Sequence, residues 1–308
     1  MSTLLSQTDG TGIPRIRVGD GIETVFDWVD DNLGGFFTAV RDVITTSTDG
    51  LTDLLTKPDA VVLAILLALL AWLLKDWKFA IVSLVGLAFI ISVEQWDNAM
   101  KTLSLVLIAT IIALIIAIPL GIAAARSPRV SSVVRPVMDL MQTMPAFVWL
   151  VPVVTLLSIG VAGGVVATVI FCLPPGVRLT ELGIRQVDPE VVEAGHAFGS
   201  SSGQILRGIQ LPLAMPTIMA GVNQVIMLAL SMAVIAGLVG AGGLGGAVTS
   251  SISRLDIGLG FEAGLSVVVL AIYLDRVTAA VGQRGPGGGT FSGLSRLLRR
   301  SRAGAKTA

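Results

Sequence analysis

Seven apolar stretches, separated by short charged connections, constrain the fold of this chain more than any other feature of its sequence. A bilayer core about 30 Å thick needs about 20 residues of helix, so such stretches predict membrane spans. Only 14% of the residues are charged, whereas soluble domains carry about 25%. We therefore predict an all-α integral membrane protein of about seven transmembrane helices, over residues 60–74, 79–93, 102–125, within 133–159, 161–175, 217–239 and 261–281.

The distribution of positive charge predicts an orientation. Cytoplasmic connections carry an excess of Lys and Arg, and with seven spans all the basic connections fall on one side. The prediction is a multi-pass cell-membrane protein with its N-terminus outside and its C-terminus in the cytoplasm. The basic residues that decide it are Lys75, Lys78, Arg126, Arg129, Arg135, Arg178, Arg185 and Arg207, followed by the Arg-rich C-terminus.

The two ends of the chain are polar. Residues 1–20 predict a disordered tail, and residues 21–56 recur with a helical period and are acidic between the apolar positions. That period predicts an amphipathic extracytoplasmic segment, lying either on a membrane face or on the rest of the protein. Residues 284–308 predict a basic cytoplasmic tail, which either contacts anionic lipid or only directs topology.

The connection at 176–215, on the predicted cytoplasmic side, contains two short predicted helices. The first covers about 189–198, with Asp188 as its N-cap and Pro189 in the first turn. Gly199 ends that helix. Ser202 is expected to cap the second helix, which is expected to end before Pro212.

This connection carries a specific pattern. Glu193-Ala194-Gly195 is followed after three residues by Gly199, and nine residues later come Ile209, Leu211 and Pro212. The pattern resembles the E-A-A, x3, G, x9, I-x-L-P signature of bacterial ABC import permeases, with Gly195 in place of the second Ala. The resemblance implies the type I ABC importer (MetI-like) permease fold and a segment that couples to the ATPase subunit. An ordinary helical connection between spans is the alternative.

The resemblance covers about 97–283 as the permease core, after two accessory transmembrane helices in 57–96. It is closest to the ProW/OpuA-type glycine betaine/proline betaine permeases, and 118–122, 141–147, 211–224, 239–245 and 272–276 carry it. It implies an ABC ATPase subunit, an extracytoplasmic substrate-binding protein, a second copy of the permease and the lipid bilayer as partners. It also implies uptake of a compatible solute.

Several motifs are absent from the sequence or are misleading in it. Residues 240–245 have the Gly-x-Gly-x-x-Gly spacing of a dinucleotide site, but they follow a predicted span rather than a strand. This context favours a flexible outer loop instead. Such a loop would permit motion or close packing near a docked binding protein. The chain has no phosphate-binding loop and no room for a fused ligand-binding domain, so ATP is expected at a partner subunit and the solute is expected from a separate binding protein. One His and one Cys exclude common metal clusters. We expect no catalytic residue, bound metal or cofactor, and no nucleic-acid partner.

Candidate residues for the substrate path lie in the fourth and sixth predicted spans. Aromatic faces hold quaternary ammonium groups, and polar side chains within spans mark cavities or helix contacts. Contacts between helices are the favoured alternative for them. Two further expectations are an Arg135–Asp139 ion pair and no direct contact between the adjacent Asp275 and Arg276. The path candidates are Phe147, Trp149, Asn223, Gln224 and Ser231.

Three other functions were weighed. An ion-coupled secondary transporter usually needs ionisable groups deep in its spans, and the third and sixth spans have none. An integral membrane enzyme needs convergent acid, base or metal-binding groups, which this sequence does not offer. An importer of another small solute, such as choline or an amino acid, stays open.

Overall fold

The computed structural model describes residues 18–282, and these form helices and short connections without a strand. A π-helical turn, Leu206–Gln210, joins α9 to α10, and a 3-10 turn, Gly237–Val239, follows α10. The α-helices are α1 (Val18–Thr56), α2 (Ala60–Leu74), α3 (Trp77–Ser92), α4 (Trp96–Arg126), α5 (Pro128–Thr143), α6 (Ala146–Leu157), α7 (Val161–Arg185), α8 (Pro189–Ala197), α9 (Ser202–Ile205), α10 (Leu211–Ala236), α11 (Gly243–Arg254) and α12 (Ile257–Gly282).

Within this part of the chain, four helices are long and apolar enough to cross a membrane: Trp96–Arg126, Val161–Arg185, Ser202–Val239 and Ile257–Gly282. The number rises to six if each of two sharply bent helix pairs is one span. Helix α3 is a shorter apolar helix of 16 residues. All seven predicted stretches are therefore helical. Helix α2 has the predicted bounds, and the other helices differ in length from the prediction.

The fourth stretch is a broken helix. Helices α5 and α6 meet at an angle of 101°, so the predicted span within 133–159 is a broken span or a re-entrant loop rather than one straight helix. The break falls at Met144, which is extended, and Pro145, which immediately precedes α6. A residue before proline avoids the helical conformation because the proline ring crowds it.

Helix α7 is the centre of the bundle and packs against α4 and α10. Glycines allow this close approach: a Cβ atom at Gly121 would lie 2.6 Å from Thr180 Cβ, and one at Gly176 would lie 2.9 Å from Ala117 Cβ. Small residues serve helix packing in membranes in this way. The helix continues through Pro174 and Pro175 to Arg185. The predicted end at 175 is therefore wrong, and the connection to α10 begins ten residues later than expected.

The glycine run at 240–245 reverses the chain and starts a helix. Gly240, Gly242 and Gly243 have φ of +78°, +73° and +61°, which is the region that glycine adopts most readily. The second half of the expected flexible loop at 240–245 belongs to helix α11, which begins at Gly243. The start of α11 packs closely against α4 of the same chain, since the backbone N–H of Leu244 donates to Thr102 Oγ1 at 2.8 Å.

Helix α1 has two environments along its length. Its second half packs on the core, where Ile44 and Thr48 are buried, while Val25 and Phe36 in its first half are exposed. It meets α2 at 99°, so it runs across the direction of that apolar helix. Residues 18–20, predicted as tail, belong to α1. The rest of the predicted tail, and the basic tail at 284–308, lie outside the described residues.

The accessory helices α2 and α3 pack on α12. The Tyr273 hydroxyl donates to Leu67 O at 3.0 Å, and its ring stacks on Phe79 with centroids 6.4 Å apart. A Cβ atom at Gly86 would lie 2.8 Å from Val269 Cγ1. These contacts attach the accessory pair to the last long helix of the bundle.

Candidate functional site

Five of the seven signature residues lie on a helical hairpin formed by α8, α9 and the π-turn, which we call the coupling segment (189–210), and Leu211 and Pro212 follow it at the start of α10. The Asp188 carboxylate caps α8 by accepting from Glu190 N at 2.9 Å. At the other end Gly199 N donates to His196 O at 2.9 Å, and Ser200 N donates to Gly195 O at 3.1 Å. This bond pair is the Schellman C-terminal motif, which requires a left-handed residue between helices. Gly199 supplies it with φ of +79°.

Gly195, the one departure from the signature, is buried against the second arm of the hairpin. A Cβ atom at this position would lie 2.9 Å from Ile209 Cδ1 and 3.2 Å from Ile205 Cγ1. Two bulky isoleucines therefore occupy the space that an alanine methyl would need. The structure thus brings Gly195 and Ile209 together, fourteen residues apart in sequence, and turns Glu193 and Ala194 outward.

The second arm differs from the prediction in two ways. Its cap is Ser201 rather than Ser202: Ser201 Oγ accepts from Gln204 N at 3.4 Å and Gln204 Oε1 accepts from Ser201 N at 2.8 Å. This is a capping box. The arm also does not end before Pro212, because the π-turn leads directly into α10, where Leu211 and Pro212 occupy the first turn. Pro212 has no N–H, so an early position in a helix suits it.

The outward face of the coupling segment carries a large exposed aromatic side chain. Phe198, at the tip of the hairpin, is 90% exposed. Beside the second arm lies an open cavity of about 590 Å³, lined by Arg126, Ser201, Gly203, Gln204, Leu206 and Arg207. Neither arginine has an ion-pair partner among residues 18–282. The sequence holds no signal for the exposure of Phe198 or for the proximity of Arg126 and Arg207, because both depend on how the hairpin folds.

A buried carboxylate lies near the end of α7 and was also missed. Glu181 has a side chain only 3% exposed. Its Oε1 accepts from Ser131 Oγ at 2.8 Å and Arg135 Nη2 at 3.0 Å, and Arg185 Nε lies 2.9 Å away. Arg185 also donates to Ala124 O at 2.9 Å. Arg178, Glu181 and Arg185 follow at helical spacing, which is the sequence signal for one charged face.

The predicted Arg135–Asp139 pair is wrong. Arg135 pairs with Glu181 and Asp139 pairs with Arg178, so both residues of α5 bind across to α7 rather than to each other. The expectation that Asp275 and Arg276 make no contact is also wrong. Arg276 Nε lies 3.6 Å from Asp275 Oδ2, because the long arginine side chain folds back toward its neighbour.

The five path candidates fall in three places. Phe147 and Trp149 lie on α6, where Phe147 is exposed and Trp149 Nε1 donates to Met141 O at 3.4 Å. Asn223 faces α12: its Nδ2 donates to Asp275 Oδ1 at 2.9 Å, and Thr278 Oγ1 donates to its Oδ1 at 2.7 Å. Gln224 and Ser231 are exposed, two turns apart along α10. Asn223 thus serves a helix contact in this structure, while the other α10 candidates share an open stripe.

The sequence matches a known family. The model for "Binding-protein-dependent transport system inner membrane component" matches residues 117–284, which include α5 to α12 and most of the Glu181 environment. The chain is 45% identical over 257 residues to the glycine betaine transport system permease protein OpuAB of Bacillus subtilis, covering 83% of this chain and 91% of that protein.

Two further relatives agree. The glycine betaine/proline betaine transport system permease protein ProW of Escherichia coli is 49% identical over 243 residues, covering 79% of this chain and 69% of ProW. The glycine betaine/carnitine transport permease protein GbuB of Listeria monocytogenes is 45% identical over 263 residues, covering 83% and 92%.

The fold is known from a solved structure. A chain of the MetNI methionine ABC transporter, in an inward-facing conformation, superposes with a TM-score of 0.55 and 19% identity, covering 59% of this chain and 91% of that chain. At this identity the likeness concerns the fold, which is the MetI-like permease fold. With the family match and the apolar helices, it follows that this chain is a multi-pass membrane protein of the family of binding-protein-dependent transport system inner membrane components.

Proposed function

We propose that this chain is the permease subunit of an ABC importer that carries glycine betaine or a related compatible solute into the cell. The observation that supports it most is the identity of 45–49%, over about four-fifths of the chain, to permeases named for glycine betaine transport. The chain itself would be non-catalytic: a separate ATPase subunit would hydrolyse ATP, and an extracytoplasmic binding protein would deliver the solute.

The coupling segment is the proposed contact with the ATPase. Aromatic side chains, including Phe, are enriched at protein interfaces relative to the rest of the surface. Phe198 is such a residue, flanked by the outward Glu193 and Ala194. Arg126 and Arg207, which line the cavity beside the second arm and have no ion-pair partner among residues 18–282, would supply positive charge for acidic groups of a partner. Gly195, Gly199, Ile209, Leu211 and Pro212 would fix the shape that presents this surface.

The substrate path is proposed between two copies of the chain. Polar residues on a membrane helix face the protein interior or a water-filled cavity, because lipid does not satisfy them. Gln224 and Ser231 lie exposed on one side of α10 together with Ala220 and Met227. A second copy facing this stripe would enclose them, with Phe147 and Trp149 of α6 at the break. Asn223 supports the path only indirectly, through its bond to α12.

The proposed orientation places the N-terminus outside and the coupling segment in the cytoplasm. Helix α1 would then lie on the outer membrane surface, since it crosses α2 at 99°. Its acidic residues, such as Asp27 and Asp31, lie opposite the exposed apolar side of Val25 and Phe36. This arrangement suits a helix at a membrane interface.

Uptake of radiolabelled glycine betaine tests the proposal. The chain would be expressed with its cognate ATPase and binding protein in a strain without betaine importers. We expect ATP-dependent uptake that excess unlabelled glycine betaine abolishes and excess amino acid leaves unchanged. Uptake of choline or an amino acid instead would keep the permease and discard this substrate. Uptake that persists with an ATPase variant unable to hydrolyse ATP would favour an ion-coupled transporter.

A further inference from the structure

Two ion pairs join helix α5 to helix α7 in a crossed arrangement. Arg135 Nη2 lies 3.0 Å from Glu181 Oε1, and Asp139 pairs with Arg178 one turn away. The two helices run antiparallel, since the earlier residue on α5 meets the later residue on α7. On each helix the positive residue precedes the negative one, so every charge meets its opposite in this register.

No neighbouring register preserves this match. A slide of one turn in one direction would bring Arg135 opposite Arg178, and a slide the other way would bring Asp139 opposite Glu181. Like charges on neighbouring helix positions repel. Moving Glu181 away from Arg135 and Ser131 would also remove partners from a buried carboxylate, which is costly. The charges therefore oppose sliding in both directions.

The locked pair connects the coupling segment to the broken helix. Three residues separate the end of α7 at Arg185 from the start of α8 at Pro189. Arg185 itself binds Glu181 and the Ala124 carbonyl on α4. Helix α5 ends at the 101° break that leads to α6 and Phe147. A displacement at the end of α7 can thus reach the break through α5.

We propose that Arg135, Asp139, Arg178 and Glu181 form a register lock that makes α5 and α7 move as one body during transport, so that the change of shape falls at the α5–α6 break. The proposal rests on the coupling role of α8 proposed above. The four residues act by positioning helices and need not touch the solute.

Distances between spin labels test the lock without depending on the solute. One label pair joins α5 to α7, at Val133→Cys and Leu182→Cys, and a second pair spans the break, at Val133→Cys and Val151→Cys. These side chains are exposed, and the native Cys172 is fully buried. Labelled chains are diluted with unlabelled chains in the complex with ATPase, with and without vanadate trapping of ATP. We expect the α5–α7 distance to stay constant and the distance across the break to change.

A change of about 5 Å between α5 and α7, the length of one helical turn, would overturn the proposal. Unchanged distances in both pairs would also overturn it, provided that trapping inhibits ATP hydrolysis. Wild-type uptake measured in parallel separates these results from a wrong substrate, because the distances do not depend on which solute is carried.

A charge exchange tests whether the four charges cause the lock. Asp139→Arg alone and Arg178→Asp alone each place like charges opposite one another, and we expect each to lower solute uptake per ATP hydrolysed about fivefold. The double variant restores the opposite charges, and its ratio should return to within about twofold of wild type. Single variants that keep the wild-type ratio of solute uptake to ATP hydrolysis would refute the lock. A double variant whose ratio is as low as that of the single variants, with equal amounts of protein in the membrane, would refute it too.

Discussion

Gly195 and Gly199 stand four residues apart in the coupling segment, and each is glycine for a different physical reason. Gly195 is helical and buried, and the side chains of Ile205 and Ile209 fill the space beside it. Gly199 has open space around it but a left-handed backbone with φ of +79°. The first residue is thus limited by packing between the two arms, and the second by the turn that joins them.

Substituting Gly195 with Ala restores the family signature, and we expect it to preserve transport. The Ile209 methyl that a new Cβ would meet at 2.9 Å is the flexible end of a side chain. Its displacement is offset by the greater helix propensity of Ala, worth about 1 kcal/mol. Gly195→Leu should instead separate the arms and abolish uptake. Uptake assays with membrane amounts measured by immunoblot distinguish the two, and equal activity of both variants would contradict the packing argument.

At the scale of elements, the sequence predicted helices well and their ends poorly. The apolar stretches predicted 60–74 correctly, and Asp188 and Gly199 predicted the limits of α8 because capping chemistry is local. The break at Met144–Pro145 has a local signal, because Pro145 disfavours a helical conformation of Met144. The continuation of α7 through two prolines and the pairing of Arg135 with Glu181 depend instead on neighbouring helices. Local sequence holds no signal for how these neighbours approach, and so those predictions failed.

Helix α11 shows such a close approach. A Cβ atom at Gly245 would lie 2.7 Å from the carbonyl oxygens of Ala233 and Val234 on α10, whereas one at Gly246 would meet nothing within 4 Å. We expect Gly245→Ala to destabilise the protein by about 1–3 kcal/mol, as overpacking does. Gly246→Ala is the matched control and should be neutral or slightly stabilising. Thermal unfolding in detergent compares them, and equal melting temperatures would show that α10 and α11 are less tightly packed than described.

At the scale of the whole molecule, the two ends of the bundle differ in their charged residues. The cavity beside the coupling segment contains Arg126 and Arg207, and the ion pairs of Glu181 and Asp139 lie toward the same end. The acidic helix α1 packs near the start of α7, away from Arg185, since Phe37 and Val40 pack with Leu157 and Ala167. This polarity agrees with a cytoplasmic coupling surface and an outer α1.

The signature and the proposed substrate path differ in how their residues are distributed along the sequence, which explains why only the signature could be recognised without the structure. The signature at 193–212 is compact in sequence because most of it lies on one hairpin, so its resemblance to the signature of ABC import permeases is visible without the structure. The substrate path was not readable in this way. As proposed, the path would combine residues of α6 and α10, and a second copy of the chain would be needed to enclose Gln224 and Ser231.

Co-purification of the ATPase subunit with Phe198→Asp and Leu255→Asp variants tests the central claim, that the coupling segment is the cytoplasmic docking surface. Both residues are apolar and exposed, at 90% and 87%, but they lie at opposite ends of the proposed topology. The account predicts that Phe198→Asp loses the ATPase and all ATP-dependent uptake, while Leu255→Asp retains the ATPase at the wild-type level. Full retention of the ATPase by Phe198→Asp, or its loss in Leu255→Asp alone, would contradict both the docking surface and the orientation.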